Sequence, residues 1–116
     1  MADIVNDLGQ PIGWPVNTPL PCTRPERTTL KGQYGSLVPL SVAAHGDELW
    51  EAFSQDKTGA NWTYLPIGPF AEKAEFLAFL QTAEASPDPL YYTVLDTSGR
   101  AVGHATFLRI DEKQGV

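Results

Sequence analysis

Two histidines, His45 and His104, and a single cysteine, Cys22, are the side chains best suited to move a proton, hold a metal or act as a nucleophile near neutral pH. Their spacing gives them no common task. The histidines form no HxxxH or comparable metal-binding pattern, no cysteine–histidine pair stands out, and no Gly-x-Ser-x-Gly elbow presents a serine. His45 reads as a residue at the start of a helix and His104 as one inside a strand, both in structural roles. Cys22 has no second cysteine to bridge to, which excludes disulfide stapling and cysteine-based metal sites and fits a reducing, cytoplasmic setting. The residues therefore assign no catalytic group, no cofactor ligand and no metal ligand.

Two glycine-containing stretches, Gln10-Pro11-Ile12-Gly13 and Lys31-Gly32-Gln33-Tyr34-Gly35-Ser36, could pass for phosphate cradles. A cradle works because glycine-rich backbone N–H groups open directly onto a helix N-terminus. Pro11 and Pro15 remove donors from the first stretch and a β-like run follows the second, so both read as turns. The aromatic centre Trp62-Thr63-Tyr64 falls in a loop, where such rings either cap a core or line a ligand site. Arg109 has two readings as well: a partner for an acidic ligand, or an ion pair with Asp111, Glu112 or another carboxylate.

Eight Lys plus Arg stand against fourteen Asp plus Glu, a formal net charge of -6, with the basic residues scattered rather than clustered. Nucleic acid, whose phosphates demand a positive patch, is thereby disfavoured. Nothing approaches the roughly 20 apolar residues needed to cross a bilayer, and the opening residues lack the basic and apolar blocks of a leader peptide. With 116 residues, 42% of them hydrophobic and including three Trp, five Phe and four Tyr, the chain can pack one core.

The elements follow from pattern. Residues 1–28 hold Pro11, Pro15, Pro19, Pro21 and Pro25, which forbid a continuous helix and predict an extended arm, with Trp14 and Leu20 as candidate anchors to a core. Residues 29–116 form the folded part. A strand is expected over 29–40, interrupted near Gly32 and Gly35 by a turn or bulge. Helical spacing follows over 41–55, with Leu49, Trp50 and Phe53 on one side and Asp47, Glu48 and Glu51 on the other. After an aromatic loop, a second helix over 71–85 carries the stripe Phe76, Leu77, Leu80 and Ala83, with Glu72 and Glu75 in its first turn. Two β-rich runs, 90–95 and 101–110, flank Asp96-Thr97-Ser98-Gly99-Arg100 as a hairpin. The second run sets Val102, Thr106, Leu108 and Ile110 on one face and Ala101, Gly103, Ala105 and Phe107 on the other. Both faces are largely apolar and ask for cover, whereas two helices cover one. Asp111 to Gly115 reads as a further turn toward a strand that would begin at Val116, leaving an apolar edge that invites pairing.

This order, strand, helix, helix, hairpin, then a turn, resembles the first half of the GNAT acyltransferases. Within that superfamily the RimJ/RimL-type branch is similar in wording: Arg27-Thr28-Thr29-Leu30 with Gly32, Val38-Pro39-Leu40, and His45 followed by Leu49-Trp50-Glu51-Ala52-Phe53. The similarity continues through Trp62-Thr63-Tyr64-Leu65-Pro66, Gly68-Pro69-Phe70, Tyr92-Thr93-Val94-Leu95-Asp96, Gly99-Arg100-Ala101-Val102-Gly103-His104-Ala105 and Arg109-Ile110-Asp111, and includes the arm around Asn6 to Gly13. The resemblance implies an α+β fold, part of a three-layer domain, with antiparallel strands and an incomplete sheet. It implies transfer of acetyl from acetyl-CoA to an amine, either a protein N-terminus or a small molecule. The family's diphosphate-binding loop and its acid–base side chains have no match here, so residues 29–116 are expected to be the N-terminal part of the domain and inactive alone. Trp62, Tyr64 and Phe70 match the region that borders the acceptor cleft and are the expected substrate-binding residues. The expected partners are the amine acceptor and either a complementary C-terminal half or a second copy, with no nucleic acid and no membrane. The alternative is a non-enzymatic interaction module that pairs through its last strand.

Overall fold

Short apolar runs alternating with turn formers give an α+β chain in the computed structural model, which describes residues 3–116. In chain order the elements are β1 (Ile4–Val5), β2 (Pro11–Ile12), β3 (Leu30–Lys31), β4 (Ser36–Pro39), α1 (Val42–Phe53), a single 3₁₀ turn (Ala60–Trp62), α2 (Lys73–Ala85), β5 (Leu90–Leu95) and β6 (Ala101–Phe107). They fall into two units.

One unit takes in the described residues up to Arg24 together with Asp111–Val116. Its arm is not extended throughout, because β1 and β2 pair antiparallel. The turn between them is held by Asn6, whose Oδ1 accepts the N–H groups of Leu8 and Gln10 at 3.0 Å each, and Gly9 takes φ 76°. Residues 111–116 close a turn in which the Val116 N–H donates to the Asp111 carbonyl at 3.0 Å. The Cys22 N–H donates to the Glu112 carbonyl at 2.9 Å, and Arg24 pairs with the Glu112 carboxylate at 3.2 Å.

The other unit is Pro25–Ile110. Side chains of the folded part reach back to its first residues: Tyr92 Oη donates to the Glu26 carbonyl at 2.8 Å. The Arg27 guanidinium in turn donates to the Glu84 and Ser86 carbonyls at 2.8 and 2.9 Å, at the C-terminal end of α2. The sheet runs β3-β4-β5-β6, all antiparallel. The expected strand over 29–40 is thus a tight hairpin, β3 turning at Gly32–Gly35 into β4, with the Gly32 N–H bonded to the Gly35 carbonyl at 2.9 Å.

Helix α1 starts at Ser41, whose Oγ accepts the Ala44 N–H at 3.2 Å. Its apolar side buries Leu49 completely, and its acidic side is used for attachment. Glu48 accepts the Ala101 N–H at 2.6 Å, Glu51 pairs with Arg100, and Asp47 pairs with Lys73 at 2.8 Å. From α2 come Phe76, Leu80 and Ala83, which join Leu40, Leu49 and Ala101 in one core cluster. The helices approach closely at Gly46, where a Cβ would lie 2.8 Å from Leu77 Cδ2.

Strand β6 departs from the expected alternation. Leu90 to Val94 pair in step with Phe107 to Gly103, but Leu95 pairs with Ala101, so Val102 is an extra residue in a bulge. The bulge resets the faces. Ala101 joins the core and His104 packs toward α1, so the two sets read from simple alternation are mixed at this end of the strand. The strand also stops at Phe107 rather than Ile110, because the Arg109 and Ile110 N–H groups turn to the Asp88 carboxylate at 3.0 Å each and Arg109 takes φ 54°.

Candidate functional site

The connection from α1 to α2 builds the densest aromatic cluster of the chain. Asp56 organises its first turn: Oδ2 accepts the Asn61 N–H at 2.9 Å and Oδ1 accepts the Thr58 hydroxyl at 3.3 Å. The Asn61 N–H, with further backbone donors, holds this carboxyl below its ordinary pKa of 3.8, although the group is open to solvent. Gly59, at φ 74°, then admits the 3₁₀ turn that carries Trp62 inward.

Trp62 is 6% exposed. Its ring lies 5.5 Å from Phe53 and 5.5 Å from Phe70, the latter edge-on at 88°. Phe76 lies 5.6 Å from both Trp50 and Phe53 and 5.7 Å from Phe70. Gly68 presses against the indole. Its φ is 70°, and a Cβ there would stand 2.5 Å from Trp62 Cε3, so no other residue fits without moving the ring.

These rings leave a cavity of about 330 Å³ lined by Trp50, Phe53, Trp62, Phe70 and Phe76, with Ser54, Asp56, Lys57, Pro69 and Ala71. Trp62 and Phe70 therefore share one pocket, as rings from two ends of the same loop. Tyr64 does not line it and is 96% exposed. Trp50, Phe53 and Phe76 read from sequence as helix residues facing a core, and their second role at the pocket was not visible in the helical period. The Asp56-x-Thr58-Gly59 turn signal was the available clue that the loop folds inward at this point.

The histidines lie elsewhere. His45 Nδ1 is 3.0 Å from the Thr93 hydroxyl, and the Ser41 N–H donates to the same nitrogen at 3.2 Å. Burial lowers the His45 pKa below 6.5, against the raising fields of Glu48 and Glu84. His104 lies between the rings of Phe53 and Tyr91, at 5.2 and 5.7 Å, and its buried Nδ1 has no hydrogen-bond partner. Burial lowers its pKa as well. Arg109 contributes its backbone to the Asp88 turn.

Neither helix start is open to an anion. At α1 the Ala44 N–H goes to Ser41 and the Val42 N–H to the Glu84 carboxylate at 3.3 Å. At α2 the first turn carries Glu72 and Glu75, and the Glu72 N–H donates to the Glu75 carboxylate at 3.4 Å. Carboxylates thus occupy the positive ends of both dipoles. Among the described residues no group of three or more His, Cys, Asp or Glu side chains converges on a metal position, and no helix is long and apolar enough to cross a membrane.

No protein-family model matches the sequence. No curated protein matches it significantly. Solved structures do match. The chain is similar to a GCN5-related N-acetyltransferase from Brucella melitensis, with a TM-score of 0.76 and 39% identity over 80% of this chain and 42% of that one. It is also similar to a probable acetyltransferase of the GNAT family from Chromobacterium violaceum, with a TM-score of 0.70 and 26% identity over 91% of this chain and 55% of that one. These structural neighbours are GNAT acetyltransferases, and their mixed α+β fold with antiparallel strands is the fold of this chain. The chain spans about half the length of the structures it matches.

Proposed function

We propose that this chain is the acceptor-side part of a GNAT N-acetyltransferase of the RimJ/RimL-like branch, acting on a primary amine with acetyl-CoA as donor. The single observation that carries the reading is the likeness, at 39% identity, to an N-acetyltransferase over four-fifths of these residues. The donor itself does not fit here. Its diphosphate needs free backbone donors at a positive helix end, and both helix starts of this chain are capped by their own side chains and carry carboxylates. The grip on acetyl-CoA is therefore assigned to sequence outside these residues.

What these residues supply is the wall against which an acceptor is positioned. Trp62 and Phe70 face one pocket, and holding the acceptor still there removes the translational and rotational freedom that otherwise raises the barrier. Tyr64 stands apart from that pocket. Its share in acceptor binding is proposed for the assembled protein, where an exposed ring can close over a neighbouring surface.

The test is release of free CoA thiol in the presence of a panel of primary amines. This chain alone is expected to release none and to show no binding to acetyl-CoA by calorimetry. The same chain continued through a complementary C-terminal half is expected to turn over. Tight one-to-one binding of acetyl-CoA by these residues alone would overturn the assignment of the donor site, and absence of turnover in the completed chain would overturn the acetyltransferase reading.

A second reading rests on β6, which pairs with β5 on one side and with no strand among the described residues on the other. An open edge beside exposed Phe107 and Leu108 suits strand addition, either by a second copy or by another protein. Light scattering during size-exclusion separates the readings. A compact monomer at micromolar concentration removes self-pairing.

A further inference from the structure

The pocket between α1, the connecting loop and α2 has a wall divided about evenly between aromatic and polar surface, and it is charged at two adjacent positions, Asp56 and Lys57. The two charges are not equivalent. Asp56 directs both oxygens into its own turn, toward the Asn61 N–H and the Thr58 hydroxyl. Lys57 is exposed, and no carboxylate pairs with its ammonium among the described residues. In a chain with a net charge of -6, this is an available cation beside an aromatic cavity.

The rings offer little to a cationic guest. A cation–π site needs an open ring face. Trp62 is 6% exposed, with Phe70 set edge-on to it and Phe53 tilted against it, while Trp50 and Phe70 both lean on Phe76. The faces of Trp62 are spent on its neighbours, and Phe70 gives one of its own to Phe79, stacked at 5.2 Å. What remains is a cavity of about 330 Å³, room for one aryl or branched alkyl group.

We infer that this pocket takes the hydrophobic group of a small acceptor that also carries a carboxylate, with the carboxylate meeting Lys57 at the rim. The acceptor class is then a hydrophobic amino acid rather than a polyamine or another amine without an acidic group. The word acceptor rests on the acetyltransferase reading; the charge preference of the pocket does not. An exposed ion pair contributes little in general affinity, yet it separates ligands that are otherwise alike in shape.

Phenylacetate, phenylethanol and phenethylamine share the aryl group and differ in charge, so they are the probes. Binding is read by calorimetry and by the indole N–H shifts of Trp50 and Trp62, without acetyl-CoA. Phenylacetate is expected to bind about five-fold tighter than phenylethanol, the upper end of what an exposed pair supplies, with phenethylamine weakest. The advantage of the acid should shrink in concentrated salt. Lys57→Met, at an exposed position, should bring phenylacetate down to the alcohol's affinity and leave the alcohol unchanged. Ala71→Trp, at an exposed lining position, should block all three probes. Phenethylamine binding tightest, an unchanged affinity of phenylacetate for Lys57→Met, or no indole shift with any probe would each overturn the inference. Acetyl transfer by the completed chain is measured separately, so loss of the charge preference and loss of the acetyltransferase reading are distinguishable.

Discussion

Thr93 is fully buried, and its hydroxyl is 3.0 Å from a histidine nitrogen that also accepts the Ser41 N–H. Nδ1 of His45 must therefore stay unprotonated to accept the Ser41 N–H and the Thr93 hydroxyl together. Because burial sets the folded pKa values of His45 and His104 below 6.5, the unfolded chain binds more protons than the folded one just below that value. Stability from these two groups is complete above the ordinary imidazole pKa and is lost as pH falls from there toward the lowered values. Urea titrations on either side of pH about 6.5 should show that slope, and His45→Asn combined with His104→Phe should flatten it. His104→Phe alone should raise stability at neutral pH by about 1 kcal/mol, since it removes a buried nitrogen without a partner and keeps a ring between Phe53 and Tyr91. Gly68→Ala should do the opposite. A left-handed backbone and a Cβ pressed into the Trp62 ring together cost about 2–3 kcal/mol, read from urea midpoints and from a shift in tryptophan emission.

Helix α2 is anchored at its middle and at its C-terminal end by different means. Its middle buries Leu80 completely, and its last carbonyls are held by the Arg27 guanidinium from outside the helix. Leu80→Ala should cost about 2–5 kcal/mol in urea, with the spread set by how far Leu49 and Phe76 collapse into the space. Arg27→Gln should cost about 1 kcal/mol and speed amide exchange in the last turn of α2. At this scale much of the fold was legible. The 3.6-residue stripes of Leu49–Phe53 and Phe76–Ala83 and the Asp96–Arg100 turn signal are strong local patterns, and α1, α2 and the β5–β6 hairpin follow them closely. What was not legible depends on long-range pairing. The interruption near Gly32 and Gly35 was legible, but that it is a full reversal rather than a bulge shows only in the antiparallel pairing of β3 with β4. The reset of faces at Val102 likewise comes from the opposite strand and leaves no mark on the sequence of β6 itself. The pocket was legible in part: Trp62 drew attention as a loop aromatic and Phe70 through the family resemblance, while Trp50 and Phe53 look like ordinary helix core.

The described residues form two units, and among them the last strand of the sheet is paired on one side alone. Supplying a complementary C-terminal half in trans should give a one-to-one complex and raise the thermal transition, because ordering at an edge strand stabilises the state that binds. Circular dichroism melts with and without the added half check this, and an unchanged transition would count against β6 as the joint. The extra residue at Val102 has a consequence for any such joint. A ladder cannot run in phase through a bulge, so an incoming segment finds regular spacing only from Gly103 to Phe107. Beginning one residue out of step would turn its greasy side chains toward water. For such a segment the bulge would serve as a start mark, giving a newcomer one alignment along this margin rather than a sliding scale of near equivalents.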